Sequence, residues 1–254
     1  MKPFTLILIF LIILSCGQKS FKKLNKHVLS QKIDTLVSGD YILYFENGDS
    51  FEKSDNYGDL NTRIELTKTI DNSHRSAFKI QEYLSEKYSK YFYTNDSTLI
   101  LKLSNGNIVP FPYWDNLKDE GYNFEHYFEN IDYYLLRVQY SEGNSWMLVN
   151  RKNGFKTYIL GEPYISPDNK KLITIDCDLI ANYNFTGIGL YSISKDSLKK
   201  EFLRETKWCP IDIKWISKNQ FLLKREILNF DTITYNENSE IEYKLVTIKN
   251  KTSQ

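Results

Sequence analysis

Near the middle of the chain stands the stretch Tyr164-Ile165-Ser166-Pro167-Asp168-Asn169-Lys170-Lys171-Leu172-Ile173. Pro167 sets the φ angle of the first corner of a tight turn, and the side chains of Ser166 and Asp168 can hydrogen-bond to nearby backbone N–H groups. The position after Asp168 requires a left-handed backbone, which asparagine tolerates best after glycine, and Asn169 occupies it. The stretch therefore predicts a β-hairpin whose turn is formed by residues 166–169.

This stretch resembles the repeats of TolB-like (WD40-like) β-propellers. In those repeats an aromatic residue, the phrase Ser-Pro-Asp-Gly, a basic residue or two and an aliphatic strand follow one another. A later strand of the repeat ends in a phrase similar to Gly189-Leu190-Tyr191-Ser192-Ile193. Two looser copies of the pattern span residues 128–136 and 215–223. The resemblance implies stacked blades of four antiparallel strands.

Composition and alternation favour strands over helices along the chain. Aromatic residues make up 15% of the 254 residues, with 19 tyrosines, whereas alanine occurs only at positions 77 and 181. Aromatic and β-branched residues suit pleated surfaces, while helical proteins are typically rich in alanine. Apolar and charged residues alternate over residues 241–245, which is the period of a strand with one solvated face.

Three Asn-Gly pairs separate apolar runs of the sequence. Asparagine and glycine supply the positive φ angles that tight hairpins need. We therefore predict hairpin turns at Asn47-Gly48, Asn105-Gly106 and Asn153-Gly154.

One segment has helical periodicity. Ala77, Ile80, Leu84 and Tyr88 recur at intervals of three and four residues, and an Asp-Asn-Ser sequence that can cap a helix precedes them. We predict one amphipathic helix over residues 73–88, whose apolar stripe packs against a sheet.

The predicted fold is therefore mainly β, with propeller-like four-stranded antiparallel sheets and one inserted amphipathic helix in an N-terminal α+β part. Three repeats are too few to close a propeller of four to eight blades, so an incomplete propeller is an alternative. The predicted divisions are a signal peptide at 1–15, a lipidated basic tether at 16–32, N-terminal strands with the helix at 33–112, and propeller-like repeats at 113–254.

The N-terminus carries an export signal. Its apolar run, Phe4–Leu14, is shorter than the roughly twenty residues with which a helix crosses a bilayer. The run ends in Ile13-Leu14-Ser15-Cys16, which resembles the lipobox of bacterial lipoproteins. The resemblance implies cleavage before Cys16 and acylation of that residue with chains such as palmitate, which together bind a bilayer stably. An ordinary signal peptide with an incidental cysteine is the alternative.

Residues after the lipobox indicate where a lipoprotein of this kind resides. Gly17 is not the aspartate that retains enterobacterial lipoproteins at the inner membrane, and no acidic cluster follows Cys16. By the same resemblance we expect a cell-envelope protein that is anchored in the outer membrane and faces the periplasm.

Two cysteines, Cys177 and Cys209, remain once Cys16 is assigned to lipid attachment. Paired cysteines in exported proteins commonly form disulfides. In a propeller-like repeat, Cys177 would end a second strand and Cys209 would precede the first strand of the next blade, on the same face of the domain. A disulfide is therefore expected, with two free buried thiols as the alternative.

Motifs for catalysis, cofactors and metals are missing from the sequence. The three histidines are widely separated, and no HExxH, GxSxG, P-loop or GxGxxG pattern occurs. With 33 basic and 32 acidic side chains the net charge is +1, which does not favour nucleic acid. We therefore expect a protein that is not an enzyme and has no cofactor, metal or nucleic-acid partner.

A candidate ligand surface lies in the aromatic-rich residues 111–134. Exposed tyrosine and tryptophan are common anchors at interfaces and on sugar rings, because they combine a large apolar area with a polar group. The candidate binding residues are Tyr113, Trp114 and Tyr122. Packing of these aromatic strands inside the blades is the alternative.

The leading hypothesis for function is a non-catalytic binding or scaffold module, held at the lipid bilayer through acylated Cys16, for an envelope protein or glycan. Loops on a rigid β scaffold are suited to such a role. One alternative is an envelope hydrolase acting on peptide or glycan. The other is a periplasmic immunity-type lipoprotein that neutralises a toxin.

The lipid anchor predicts the behaviour of a Cys16→Ser variant. Because serine has no thiol to receive diacylglycerol, we expect loss of labelled fatty acid and movement of the protein out of the membrane fraction. Metabolic labelling and cell fractionation measure both effects. A Cys177→Ser variant, which leaves the lipobox intact, should stay in the membrane; a Cys16→Ser variant that also stays there would contradict the anchor.

Overall fold

The computed structural model of the protein describes residues 35–113, 120–228 and 239–251. The segment Asp34–Gln254 forms one compact unit. Its described residues contain sixteen strands, β1 (Thr35–Ser38), β2 (Tyr41–Asn47), β3 (Phe92–Asn95), β4 (Thr98–Lys102), β5 (Ile108–Pro112), β6 (Gly121–Phe128), β7 (Tyr133–Gln139), β8 (Asn144–Asn150), β9 (Lys156–Ile159), β10 (Pro163–Ile165), β11 (Lys171–Asp176), β12 (Gly187–Ile193), β13 (Leu198–Glu205), β14 (Cys209–Ser217), β15 (Gln220–Ile227) and β16 (Glu240–Asn250). They also contain two helices, α1 (Leu60–Thr67) and α2 (Ser73–Lys87).

The strands form four antiparallel sheets, so the prediction of a mainly β chain is confirmed. Sheet I has the order β3-β4-β5, sheet II β6-β7-β8-β9, sheet III β10-β11-β12-β13, and sheet IV β1-β2-β16-β15-β14. Sheets II and III have the expected four strands. Sheet I has three strands. Sheet IV has five strands, because β2, which also pairs with β1, adds to the last strand of the described chain, β16.

That pairing joins the two ends of the described chain. β2 is paired along its whole length with β16. The first two strands therefore belong to the same sheet as the last repeat, whereas β3, β4 and β5 form sheet I.

The turn at residues 166–169 joins β10 to β11. Asn169 is left-handed, with a φ of +59°, and its N–H donates to the carbonyl oxygen of Ser166 at 2.9 Å. The hydroxyl of Ser166 accepts the N–H of Lys171 at 3.0 Å and donates to the Asp168 carboxylate at 2.7 Å. The two looser copies also lie on hairpins, β6–β7 and β14–β15.

Two of the three predicted Asn-Gly turns close hairpins. Gly106 (φ +87°) lies between β4 and β5, and Gly154 (φ +73°) lies between β8 and β9. The hairpin predicted at Asn47-Gly48 is wrong. The chain leaves the sheet there, and Gly48 is needed because a Cβ atom would come within 2.5 Å of the Leu245 backbone nitrogen.

The predicted helix is present as α2. The Asn72 side chain caps it by accepting the N–H of Arg75 at 3.1 Å. Ala77, Ile80 and Leu84 are buried, and the helix packs on sheets I and II in one core cluster.

The expectation of a single helix is wrong. Helix α1 also occurs. The residue that it buries is Arg63, whereas α2 buries a stripe of apolar side chains. The periodicity that predicted α2 is therefore absent from α1.

The sheets pack on one another in chain order. A second cluster joins sheets II and III through buried residues such as Leu135, Leu148 and Leu172. Sheet III contacts sheet IV through β11 with β14 and β13 with β1, where the Ser38 hydroxyl donates to the Leu203 carbonyl oxygen at 3.1 Å. Sheets II and III thus bury apolar side chains against each other, as layered β proteins do.

A disulfide joins Cys177 and Cys209, whose Cα atoms lie 5.0 Å apart. Cys177 directly follows β11 and Cys209 begins β14. The bond therefore links sheet III to sheet IV. In the chain-entropy model a loop of this size stabilises a fold by about 3–4 kcal/mol.

Several predicted features lie outside the described residues. They are the signal peptide, the tether with Cys16, and Trp114. Within the parts of the chain that are described, neither helix combines the length and apolar character needed to span a bilayer.

Candidate functional site

A cleft of about 760 Å³ opens between β6 of sheet II, β10 of sheet III and β14 of sheet IV; we call it the inter-sheet cleft. Its walls come from β6, β10 and β14 and from the connection between sheet IV and α1. We call residues 52–57 of that connection the strap. The lining residues are Glu52, Lys53, Ser54, Asp55, Asn56, Tyr57, Tyr88, His126, Tyr127, Phe128, Glu129, Asn130, Pro163, Tyr164, Ile165, Ile213, Lys214 and Trp215.

The repeat pattern places one aromatic residue from each copy at this cleft. Phe128, Tyr164 and Trp215 open the three copies, and all three line the inter-sheet cleft. The hairpins thus converge on a common space with the aromatic start of each repeat facing it. The aromatic residue at the start of each copy is visible in the sequence, but that the three residues share one cleft follows only from the arrangement of the hairpins.

Two adjacent residues at the centre of the strap, Ser54 and Asp55, hold it to β14 and to the start of α1. The N–H of Ser54 donates to the Asp212 carboxylate at 2.8 Å, and its hydroxyl donates to the Ile213 carbonyl oxygen at 2.6 Å, both on β14. One carboxylate oxygen of Asp55 accepts the N–H of Gly58 at 2.8 Å and contacts three more N–H groups between residues 57 and 60. A carboxylate at the N-terminus of α1 satisfies N–H groups that have no partner within the helix.

Aromatic rings form the floor of the cleft. The Tyr57 ring lies 5.1 Å from the His126 ring and 6.1 Å from that of Phe128. The ring of Tyr88 meets His126 edge-on at 5.8 Å. Burial, and then the positive charge of Arg63, lower the pKa of His126 to about 3, so its ring is uncharged near neutral pH.

A buried ionic cluster supports this floor. Glu125 on β6 is 0% exposed, and its carboxylate lies 2.9 Å from Nη1 of Arg63 and 2.6 Å from Nε of Arg137. Arg63 also pairs with Asp59 at 2.5 Å and donates to the Glu125 carbonyl oxygen at 2.7 Å. The guanidinium of Arg63 stacks 4.5 Å above the ring of Tyr57. The cluster therefore joins α1, the strap and sheet II.

Glu162, just before β10, is a third carboxyl group at this cluster. Burial, and then the nearby Glu125 carboxylate, raise the pKa of Glu162, while a hydrogen bond with Tyr57 opposes that rise. The positive charges of Arg137 and Arg63 also lower the pKa of Glu162, but burial outweighs them and sets the direction of the shift.

Trp215 forms a rigid part of the wall. Its indole Nε1 donates to the Tyr164 carbonyl oxygen at 2.9 Å, and its ring packs edge-on against Phe221 at 5.5 Å. The hydroxyl of Tyr164 is in turn hydrogen-bonded to Asp212 and Asn56. These contacts hold the half-buried indole in one orientation beside the strap.

Of the predicted binding residues, Tyr113 and Tyr122 lie away from the inter-sheet cleft, and Trp114 is outside the described residues. Tyr113 is half-buried beside a second cleft of about 550 Å³ along α2, where its hydroxyl accepts from Gln81 at 3.0 Å. Tyr122 is only 6% exposed and packs on Phe111 in the core of sheets I and II, so it offers little surface to a ligand. The alternative of core packing is the better description of Tyr122.

The acidic residues around Cys177 have a structural role. The Asp178 carboxylate accepts the N–H groups of Tyr183 at 2.6 Å and Asn184 at 2.7 Å, which orders the loop before β12. In the described parts of the chain, no group of three or more His, Cys, Asp or Glu side chains is placed to hold a metal ion.

Comparison of the sequence with models of known protein families, and with curated proteins, finds no match. The chemistry of the site must therefore be derived from its own residues.

The ionic cluster predicts a large difference between two substitutions on the same segment. We expect Arg63→Met to lower the free energy of unfolding by about 3–5 kcal/mol, because it leaves Glu125 buried with half of its partners. Lys68→Met removes the exposed ion pair with Glu65 and should change the free energy of unfolding by no more than about 0.5 kcal/mol. Urea denaturation of both variants gives the comparison, and equal effects would contradict a supporting role for the cluster.

Proposed function

We propose that the protein is a non-catalytic binding module, anchored by lipid in the bacterial cell envelope, and that the inter-sheet cleft is its ligand site. The cleft's volume falls in the range of roughly 300–1,000 Å³ in which proteins hold small ligands. Its walls are held by hydrogen bonds from the strap, from Trp215 and from Tyr164. A site that is rigid before binding loses little conformational entropy when a ligand enters.

The proposed location follows from the lipobox-like sequence. The short apolar run that ends at Cys16 supports export and acylation, and Gly17 supports the outer membrane, facing the periplasm. The disulfide between Cys177 and Cys209 is compatible with an oxidising compartment outside the cytoplasm.

The proposed fold at the finer level is an open, propeller-like arrangement of the four sheets. Neighbouring turns of the repeat hairpins support it. Nδ2 of Asn130 donates to the side chain of Asn169 at 2.6 Å, and Nζ of Lys171 donates to that of Asn219 at 3.0 Å. The first strands of the three repeat hairpins, β6, β10 and β14, also line one cleft, which is the arrangement expected around the axis of a propeller.

The hydrogen bonds of several acidic and hydroxyl groups favour binding over hydrolysis. Asp55 accepts N–H groups just before and at the start of α1, Asp212 accepts from Ser54, and Glu125 lies between two arginines. The hydroxyl of Ser54 donates to a backbone carbonyl oxygen. A serine nucleophile requires a hydrogen bond to a base, and a general acid must reach its substrate. These side chains instead bond to other parts of the protein and stabilise the fold.

Site-specific crosslinking in cells tests whether the cleft binds a ligand. A photoreactive amino acid that inserts into C–H bonds would replace Lys214, an exposed residue at the rim of the inter-sheet cleft. We expect one discrete adduct after irradiation. The control is the same amino acid in place of Tyr158, which is 51% exposed on β9 away from the cleft, and it should yield no such species. Absence of an adduct at position 214, or the same products at both positions, would contradict the proposed site.

A further inference from the structure

The exposed side chains that line the inter-sheet cleft carry no excess of positive charge. Glu52, Asp55 and Glu129 are acidic, and Lys53 and Lys214 are basic, so their formal sum is −1. His126 is uncharged near neutral pH. Phosphate groups and nucleic acid require an excess of basic side chains, which these residues do not supply. The electrostatics of the cleft therefore disfavour an anionic ligand.

The edges of the wall strands are poorly suited to an extended peptide. A peptide that adds to a sheet bonds to the backbone groups of an edge strand. At β10 the Tyr164 carbonyl oxygen already accepts from the indole of Trp215, and at β14 the Ile213 carbonyl oxygen already accepts from Ser54. A peptide would have to displace these bonds, so pairing by main chain is disfavoured.

Trp215 instead offers a flat apolar surface. Its indole lines the cleft, is half-buried, and is held by Tyr164 and Phe221 in one orientation. The C–H groups on one face of a sugar ring pack against such a ring, and a fixed ring loses little entropy in the contact. Asn56 and Asn130 also line the cleft, and each already makes one hydrogen bond within the protein, to Tyr164 and Asn169 respectively. A carboxamide has two N–H donors and an acceptor oxygen, so each side chain keeps the capacity to bond a sugar hydroxyl.

From this combination we infer that the inter-sheet cleft binds an uncharged saccharide, with one sugar ring stacked on Trp215. The inference rests on the proposed function of the cleft as a ligand site. It assigns Trp215 as the main contact and the asparagine side chains as partners of the sugar hydroxyls.

The chemical nature of the adduct at position 214 tests the inference. The crosslinked full-length protein would be digested, and the peptide that carries the photoreactive residue analysed by tandem mass spectrometry. We expect an added mass that fragments in steps of a sugar unit. Fragments that read as an amino-acid sequence would overturn the saccharide while leaving a binding site in place. The absence of any adduct would contradict both the saccharide inference and the proposed function of the cleft as a ligand site.

Substitutions at Trp215 provide a second readout. In the crosslinking background we expect Trp215→Leu to reduce the adduct roughly tenfold, the loss expected for one stacked ring. Trp215→Phe, which keeps a flat ring, should retain more adduct than Trp215→Leu. The matched control is Phe155→Leu, at a residue that is 57% exposed outside the cleft, and it should change nothing. If a folded Trp215→Leu variant gave full adduct, the stacking role would be wrong.

Discussion

The site depends on one buried carboxylate. Glu125 lies on β6 next to the cleft residue His126, and it is balanced by Arg63 from α1 and Arg137 from β7. Removing either arginine would leave a buried charge with less compensation, which is strongly destabilising. Because Arg63 also stacks on Tyr57, its pairing with Glu125 links the strap to the sheet. The cleft is thus held by an electrostatic constraint, in addition to apolar packing.

Local chemistry was sufficient to predict the main features of the fold. The turn residues at 166–169 and the two Asn-Gly turns at Gly106 and Gly154 are governed by backbone conformation, which depends on few neighbours. The stripe on α2 likewise follows from the 3.6-residue period. Two errors share a cause. Gly48 is required by a strand almost two hundred residues away, and α1 is held by Arg63 rather than by an apolar stripe.

The site was harder to predict than the fold because its residues are distant in sequence. The strap, β6, β10 and β14 become neighbours only after the sheets have packed, and no motif marks the strap. The aromatic residues that open the repeats were visible as a pattern, yet their shared cleft follows from the side-by-side arrangement of hairpins. Tyr122 is buried because aromatic residues on strands also fill cores, and sequence alone does not distinguish a core role from a surface role.

Amide hydrogen exchange along the strap and α1 tests most directly whether the ionic cluster holds the cleft together. In the native protein the N–H of Ser54 and those of residues 58–60 should exchange slowly, because they are bonded to Asp212 and Asp55. In a Glu125→Gln variant these groups should exchange much faster, while the β11–β12 pairing of sheet III stays protected. Equal protection of the strap in both proteins would contradict the role assigned to Glu125.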